Sequence, residues 1–334
     1  MLNRLLIMVL LPMTLYAQVT IGGGKGLLRV YEADAIEYGK LYVNSVFQGY
    51  ATKTDNNYTL SELYTLHLGF SLGLGCFSEV FIHLIPYHDD QKHIFGPPGD
   101  TQIGLKYTFV RPAPFLAVAA VAYTELSTAT THPIPFEPYS ERGLGWAFIT
   151  STSFNFRETS LAWPVKWSLN FGYKDHNVNN DVFAGITDQL IGGFGVKYAI
   201  NKALFYNELS GEFFFNRNDV KLMENSVRFT QGVKFYGPYE ILFNLAADID
   251  LSDAKRRPEQ NQSARFYEDY ADWRIMVGAT YSFNFFENNN TELEQRQIEQ
   301  KNINEIRRQR QDINKELEEY RKRLEKEKKK DVPF

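Results

Sequence analysis

The residues best placed for acid–base chemistry are three small groups of histidine and aspartate. His88, Asp89 and Asp90 are contiguous, Asp175 precedes His176, and Asp248 and Asp250 stand two apart. An aspartate that orients a histidine beside a second carboxylate can activate water for hydrolysis. No spacing links the three groups, and short polar residues are also the ordinary composition of solvated loops. His67 or His83 would serve a lipase-like site only with a serine one strand away. The six histidines show no His-x-Glu or His-x3-His pairing, so no metal site is expected. Cys76 is the one cysteine, which excludes an intrachain disulfide and a multi-thiolate metal centre. The glycine-rich GGGKGL at 22–27 has no strand–helix context, so it is no phosphate loop and reads as a flexible lead-in. No catalytic residue, cofactor or metal is therefore expected, and the chain is read as a non-enzyme.

A second set of chemistry-bearing residues emerges only with the elements that carry them. From Ile36 to Phe286 the pattern has period two, the period of a strand. Trp163, Val165, Trp167, Leu169, Phe171 and Tyr173 alternate with Pro164, Lys166, Ser168, Asn170, Gly172 and Lys174. The same alternation runs through 62–74, 101–110 and 273–285. Twelve strands are predicted: 38–50, 62–74, 77–86, 100–110, 115–124, 143–156, 163–174, 188–200, 203–215, 226–236, 239–251 and 270–285. They exceed the roughly five or six residues of a globular strand and match the roughly 9–11 of a tilted membrane-spanning strand. Aromatic residues bracket them, as Trp163 with Tyr173 and Trp273 with Phe285, in the manner of interfacial girdles. Long polar connections alternate with short ones such as Gly75–Cys76, Asn201–Lys202 and Gly237–Pro238. Closure of such a sheet satisfies every backbone group inside lipid. The fold class is therefore all-β, a transmembrane antiparallel up-and-down barrel of twelve strands, with an α-helix after it.

Turn lengths set the register. A two-residue turn at Asn201–Lys202 places Phe194 opposite Leu209 and Tyr198 opposite Phe205. A three-residue turn at 236–238 places Phe235 opposite Tyr239 and Lys234 opposite Glu240. By alternation the lumen receives Lys106, Lys166, Lys174, Lys197, Arg228, Lys234 and Arg274, with Glu208, Glu212, Glu240, Asp248 and Asp250 as the acids. A lining of this kind selects or conducts small polar solutes; the same charges paired across the lumen would instead brace a closed wall. A twelve-stranded barrel lies between filled eight-stranded barrels and open porins, so size decides neither.

Residues 1–17, MLNRLLIMVLLPMTLYA, have the charged start, short apolar run and small final residue of a secretory signal. Residues 18–35 follow as a periplasmic lead-in, 36–286 form the barrel, and 287–334 are a different material. Twenty-five of those last 48 residues are charged. Thr291 with Glu294 makes a capping box, and Ile306, Ile313, Leu317, Tyr320 and Leu324 fall on a flawed heptad seam. This segment is expected to be a periplasmic helix, either solvated alone or bound to itself or to an envelope partner. A formal charge of -4 over 334 residues carries no basic signature for nucleic acid. The chain is 15% aromatic yet polar on average, with a mean hydropathy of -0.35, as expected if Phe, Tyr and Trp sort onto a lipid-facing surface.

Over residues 36–286 the chain resembles the bacterial outer-membrane β-barrel proteins, a porin-like class. The most specific element is the last strand, where Gly278, Tyr281, Phe283 and Phe285 look like the C-terminal assembly signal of such barrels. The family prefers a polar residue where this chain has Met276, and places the signal at the chain's end, where here 48 residues follow. The resemblance implies outer-membrane lipid and the barrel-assembly machinery as partners, an outer-membrane location with both termini periplasmic, and passive passage of small polar or charged solutes. A structural, anchoring or adhesive barrel is the alternative, and an outer-membrane hydrolase a remote one.

Overall fold

A computed structural model describes residues 18–53, 60–88, 98–129, 144–159, 163–175, 188–200, 203–214, 221–253 and 271–286. Twelve strands lie within them: β1 (Lys40–Lys53), β2 (Leu60–Gly73), β3 (Ser78–His88), β4 (Thr101–Ala113), β5 (Leu116–Leu126), β6 (Gly145–Asn155), β7 (Val165–Asp175), β8 (Asp188–Ile200), β9 (Ala203–Phe214), β10 (Ser226–Tyr236), β11 (Leu242–Asp250) and β12 (Trp273–Asn284). Each pairs antiparallel with its neighbours in sequence, and β12 pairs with β1 to close the barrel. All twelve strands read from alternation are present. The segments expected as a signal (1–17) and as a charged helix (287–334) lie outside the described residues.

The β8–β9 register agrees with the turn argument, with Phe194 opposite Leu209 and Tyr198 opposite Phe205. The β10–β11 register does not. Pro238–Glu240 coil into a short 3-10 turn, with Tyr239 at φ 59, so β11 begins only at Leu242. Phe235 therefore faces Phe243 and Lys234 faces Asn244, and Glu240 lies in the turn instead of on a lumen-facing strand position. The proline and the left-handed tyrosine draw three residues, 239–241, into the connection that a tighter turn would have left in the strand.

Alternation sorts the side chains. Outward residues such as Phe109, Phe148, Phe171, Phe205 and Leu245 are widely exposed, over more apolar surface than a soluble monomer tolerates. Trp146 and Trp273 stand at the long-loop rim, Trp163 and Phe285 at the short-turn rim, so the apolar band is bounded by aromatics at both interfaces. Of the positions expected as an assembly signal, Tyr281, Phe283 and Phe285 are exposed on the outer face, while Gly278 alternates inward with Met276 and Thr280 and a Cβ there would meet Ser45 O at 3.0 Å.

The inner face is not empty. Residues 18–37, of which 18–35 were expected as a loose lead-in, fold inside the barrel. They form no strand, only isolated bridges between Val19 and Lys25 and between Gly26 and Tyr31. Leu27, Leu28, Val30, Ala33 and Ile36 are all buried. The correction has a plain cause: these apolar side chains, with Lys25, Arg29, Glu32 and Asp34 between them, complement what the wall presents. The segment joins β1 at the short-turn rim. There Gly39, at φ 76, donates its N–H to Gly73 O at 3.0 Å and accepts from Phe285 N at 2.6 Å.

Candidate functional site

The candidate site is the lumen together with the segment that fills it. An irregular chain buried in a barrel has main-chain groups that no ladder satisfies, and leaving them unmet would cost about 1–3 kcal/mol each. Wall side chains meet them. Glu208 Oε1 and Oε2 accept from the N–H groups of Leu28 and Arg29 at 2.5 and 2.9 Å. Glu79 accepts from Lys25 N and Ile36 N, both at 2.6 Å. Ser71 accepts from Gly24 N at 2.8 Å and Ser153 from Ala33 N at 2.9 Å. Asn170 takes both groups of Tyr31, accepting from its N–H at 2.6 Å and donating to its carbonyl at 2.8 Å. Lys106 and Lys234 donate to the carbonyls of Lys25 and Leu27 at 3.1 and 2.8 Å.

Charged side chains complete the attachment. Arg29 donates to Asp248 Oδ2 at 2.5 Å and to Thr230 at 3.1 Å. Glu32 pairs with Lys166 at 2.6 Å and with Lys197. Asp34 pairs with Lys166 and, at 2.7 Å, with Arg111. Lys106 pairs with Glu79 at 2.8 Å. Burial works against ionisation of Glu32, yet Lys166, then Lys197 and Lys25, hold its carboxyl well below the ordinary value. Asp34 is displaced in the same direction, burial again opposed by Lys166 and Lys25.

These shifts have a sign. Carboxyls depressed in the seated segment contribute stability that is present above their ordinary values, near 4, and is lost as pH falls through the depressed ones. The segment is expected to stay seated from pH 7 to about 4 and to loosen only in stronger acid. Hydrogen exchange of the amides of 24–36 at stepped pH checks this; release already near pH 6 would contradict it.

Of the lumen residues expected from alternation, Lys106, Lys166, Lys174, Lys197, Glu208, Arg228, Lys234, Asp248 and Arg274 are buried and face inward. Lys106, Lys166, Lys197, Glu208, Lys234 and Asp248 bind the segment. Lys174 instead pairs with Glu125 at 2.8 Å. Glu212 is half-buried, Arg228 lies opposite Asp250 and Arg274 opposite Asp248. Asp250 holds the end of β11, accepting from Ser252 Oγ at 2.8 Å. Nothing is described of the Glu240 side chain. Sequence reasoning missed Lys25, Arg29, Glu32, Asp34 and Glu79. The apolar residues Leu27, Leu28, Val30 and Ile36, out of place in a solvated lead-in, were the available signal.

On the long-loop side of the segment lies a cavity of about 170 Å³, lined among others by Arg29, Tyr31, Tyr123, Lys174, Arg228 and Arg274. His67 Nδ1 and His83 Nε2 meet there at 3.0 Å. Of the hydrolytic candidates, Asp248 is engaged by Arg29 and Thr230. The His88 side chain, Asp89, Asp90 and His176 lie outside the described residues.

No family model matches the chain, and no curated protein sequence matches it. Solved structures with a similar barrel include the NanC porin, at 11% identity and a TM-score of 0.48 over 71% of this chain and 98% of that one. The KdgM porin is 8% identical with a TM-score of 0.45, covering 73% of this chain and 99% of its own. An outer membrane channel from Pseudomonas putida F1 is 9% identical with a TM-score of 0.48, over 75% and 98%. The architecture stands on the chain's own strand pairing and faces: a closed, twelve-stranded antiparallel barrel with an exposed apolar outer band and an internal N-terminal segment.

Proposed function

We propose that the protein is an outer-membrane channel closed by its own residues 18–37, which passes small polar or charged solutes when that segment leaves the lumen. One observation carries the reading. The occupant forms no strand or helix, only turns and isolated bridges, and much of its attachment is ion pairs and hydrogen bonds that water can replace, beneath a cavity on the long-loop side. Short turns facing the periplasm and long loops facing outward suit this build. The occlusion itself favours a second reading, a barrel that never conducts and serves the envelope as a structural or anchoring element, with 287–334 joining a partner.

A reversible lock separates the two. A Cβ at Gly195 would stand 3.4 Å from Val30 Cβ, at the edge of the roughly 3.5–4.5 Å of a disulfide. Val30→Cys with Gly195→Cys, in a Cys76→Ser background, ties the segment to β8 in the full chain. In planar bilayers the oxidised protein is expected to be silent and the reduced protein to show voltage-dependent openings. Silence in both states supports the structural barrel; equal conductance in both removes the segment as the closure.

A further inference from the structure

The wall recognises the segment chiefly by its main chain. Asn170 pairs with both the N–H and the C=O of Tyr31, as one amide reads another across a sheet. Ser153 and Thr108 bracket Ala33 in the same way, one accepting from its N–H at 2.9 Å, the other donating to its C=O at 2.5 Å. Two buried carboxylates, Glu208 and Glu79, each take two backbone N–H groups. The segment folds back on itself, with Leu27 N bonded to Val30 O and Glu32 N to Lys25 O, and wall groups placed to meet its remaining N–H and C=O serve any peptide main chain that takes up the same turns. A sugar or a free amino acid offers no such run of donors and acceptors.

Two features add sequence preference. Leu27 and Leu28 sit in an apolar patch of Val46, Leu204, Tyr206, Ala246 and Met276. Four residues past Leu28, Glu32 meets Lys166 and Lys197. The lumen thus accepts adjacent aliphatic side chains, then an acidic one four positions on.

We propose that the lumen is a peptide-binding site, and that when residues 18–37 withdraw it takes up peptides of this pattern, turned as the segment is, as the channel's cargo. The proposal rests on the reading that the segment leaves the lumen, and it names the solute class.

The test uses the full-length locked pair described above, in its oxidised and reduced forms. A fluorescent synthetic peptide of residues 18–37 is titrated against each in detergent, read by anisotropy, and against open channels in bilayers, read as current block. The expected result is binding and block with the reduced protein, at least ten-fold weaker binding with the oxidised one, and loss of ten-fold or more when the peptide carries Glu32→Gln with Leu28→Ser. A neutral oligosaccharide of similar mass is expected to block no more than at random. Openings that no peptide blocks, or that the oligosaccharide blocks equally, overturn the peptide proposal and leave the channel standing. Absence of both openings and binding overturns the two together. To separate misfolding from lost recognition, Glu208→Gln is measured alongside. It keeps the side-chain shape, and it is expected to weaken peptide binding while the heat-shifted gel migration of a folded barrel persists; unchanged binding counts against the main-chain site.

Discussion

Replacing Glu32 with alanine is expected to unseat residues 18–37 and to raise the open probability of the barrel by two to three orders of magnitude. The side chain is only 1% exposed, with Lys166 at 2.6 Å and Lys197 against its other oxygen. Removing one partner from a buried charge pair costs about 3–5 kcal/mol, because the remaining charge stays desolvated. Lys166 retains Asp34, but Lys197 loses the carboxylate it is paired with. The wall need not unfold to relieve this. If the segment withdraws, water reaches both lysines, so the cost falls on docking and not on strand pairing. At about 1.4 kcal/mol per factor of ten, the seated-to-released ratio drops by roughly 10²–10³. Single-channel recording reads the effect directly. Lys197→Met in the Glu32→Ala background removes the stranded charge and is expected to restore part of the closure. If the single variant stays as silent as the parent, the pair does not hold the segment.

The second large effect is steric. On neighbouring strands Phe81 lies opposite Gly104, and its ring covers the glycine. A Cβ there would stand 2.1 Å from Phe81 Cζ and 2.4 Å from Cε2. The ring is 1% exposed and has no free direction, since a Cβ on Gly23 of the segment would meet it at 2.9 Å. Gly104→Val must push the ring off the wall into residues 23–31. Overpacking of this kind costs about 1–3 kcal/mol, shared between barrel and seat. The expected result is a lower temperature for the gel-migration shift together with more frequent openings. Phe81→Ala in the Gly104→Val background should recover much of the barrel's stability but not the closure, because the ring also packs on Tyr31. An unchanged melting temperature for Gly104→Val would refute the close packing.

The barrel was legible because its rule is local. Alternation along 163–174 assigns Lys166 and Lys174 to one face and Trp167 and Phe171 to the other, whatever the rest of the chain does. The turn at 201–202 was legible for the same reason, and the turn after Tyr236 was not. There a proline and a left-handed Tyr239 extend the connection, a backbone preference that residue spacing does not report. The occupant was illegible for a deeper reason. Residues 18–37 obey no period because their hydrogen-bond partners are not in a ladder. Those partners are Ser71, Glu79, Thr108, Ser153, Asn170 and Glu208, scattered over strands β2 to β9. Alternation placed several of these side chains inside without saying what they faced. The lumen charges were found, and read as an open pore lining or, alternatively, as pairs bracing a closed wall; instead Arg29, Glu32 and Asp34 of the segment meet several of them.

The joint at Gly39, bonded to Gly73 and Phe285 at the rim, also determines what a released segment becomes. It cannot diffuse away. Twenty residues fully extended reach about 70 Å, so the withdrawn segment stays within a small volume around its own entrance. A short tether of this kind sustains an effective concentration in the millimolar range. The barrel therefore carries a permanent competitor for its own lumen, and any peptide from solution must outbind it or arrive at comparable concentration. Without competing peptide, dwell times in the open state will be set by how quickly the tether finds its seat again, and peptide at comparable concentration will lengthen them.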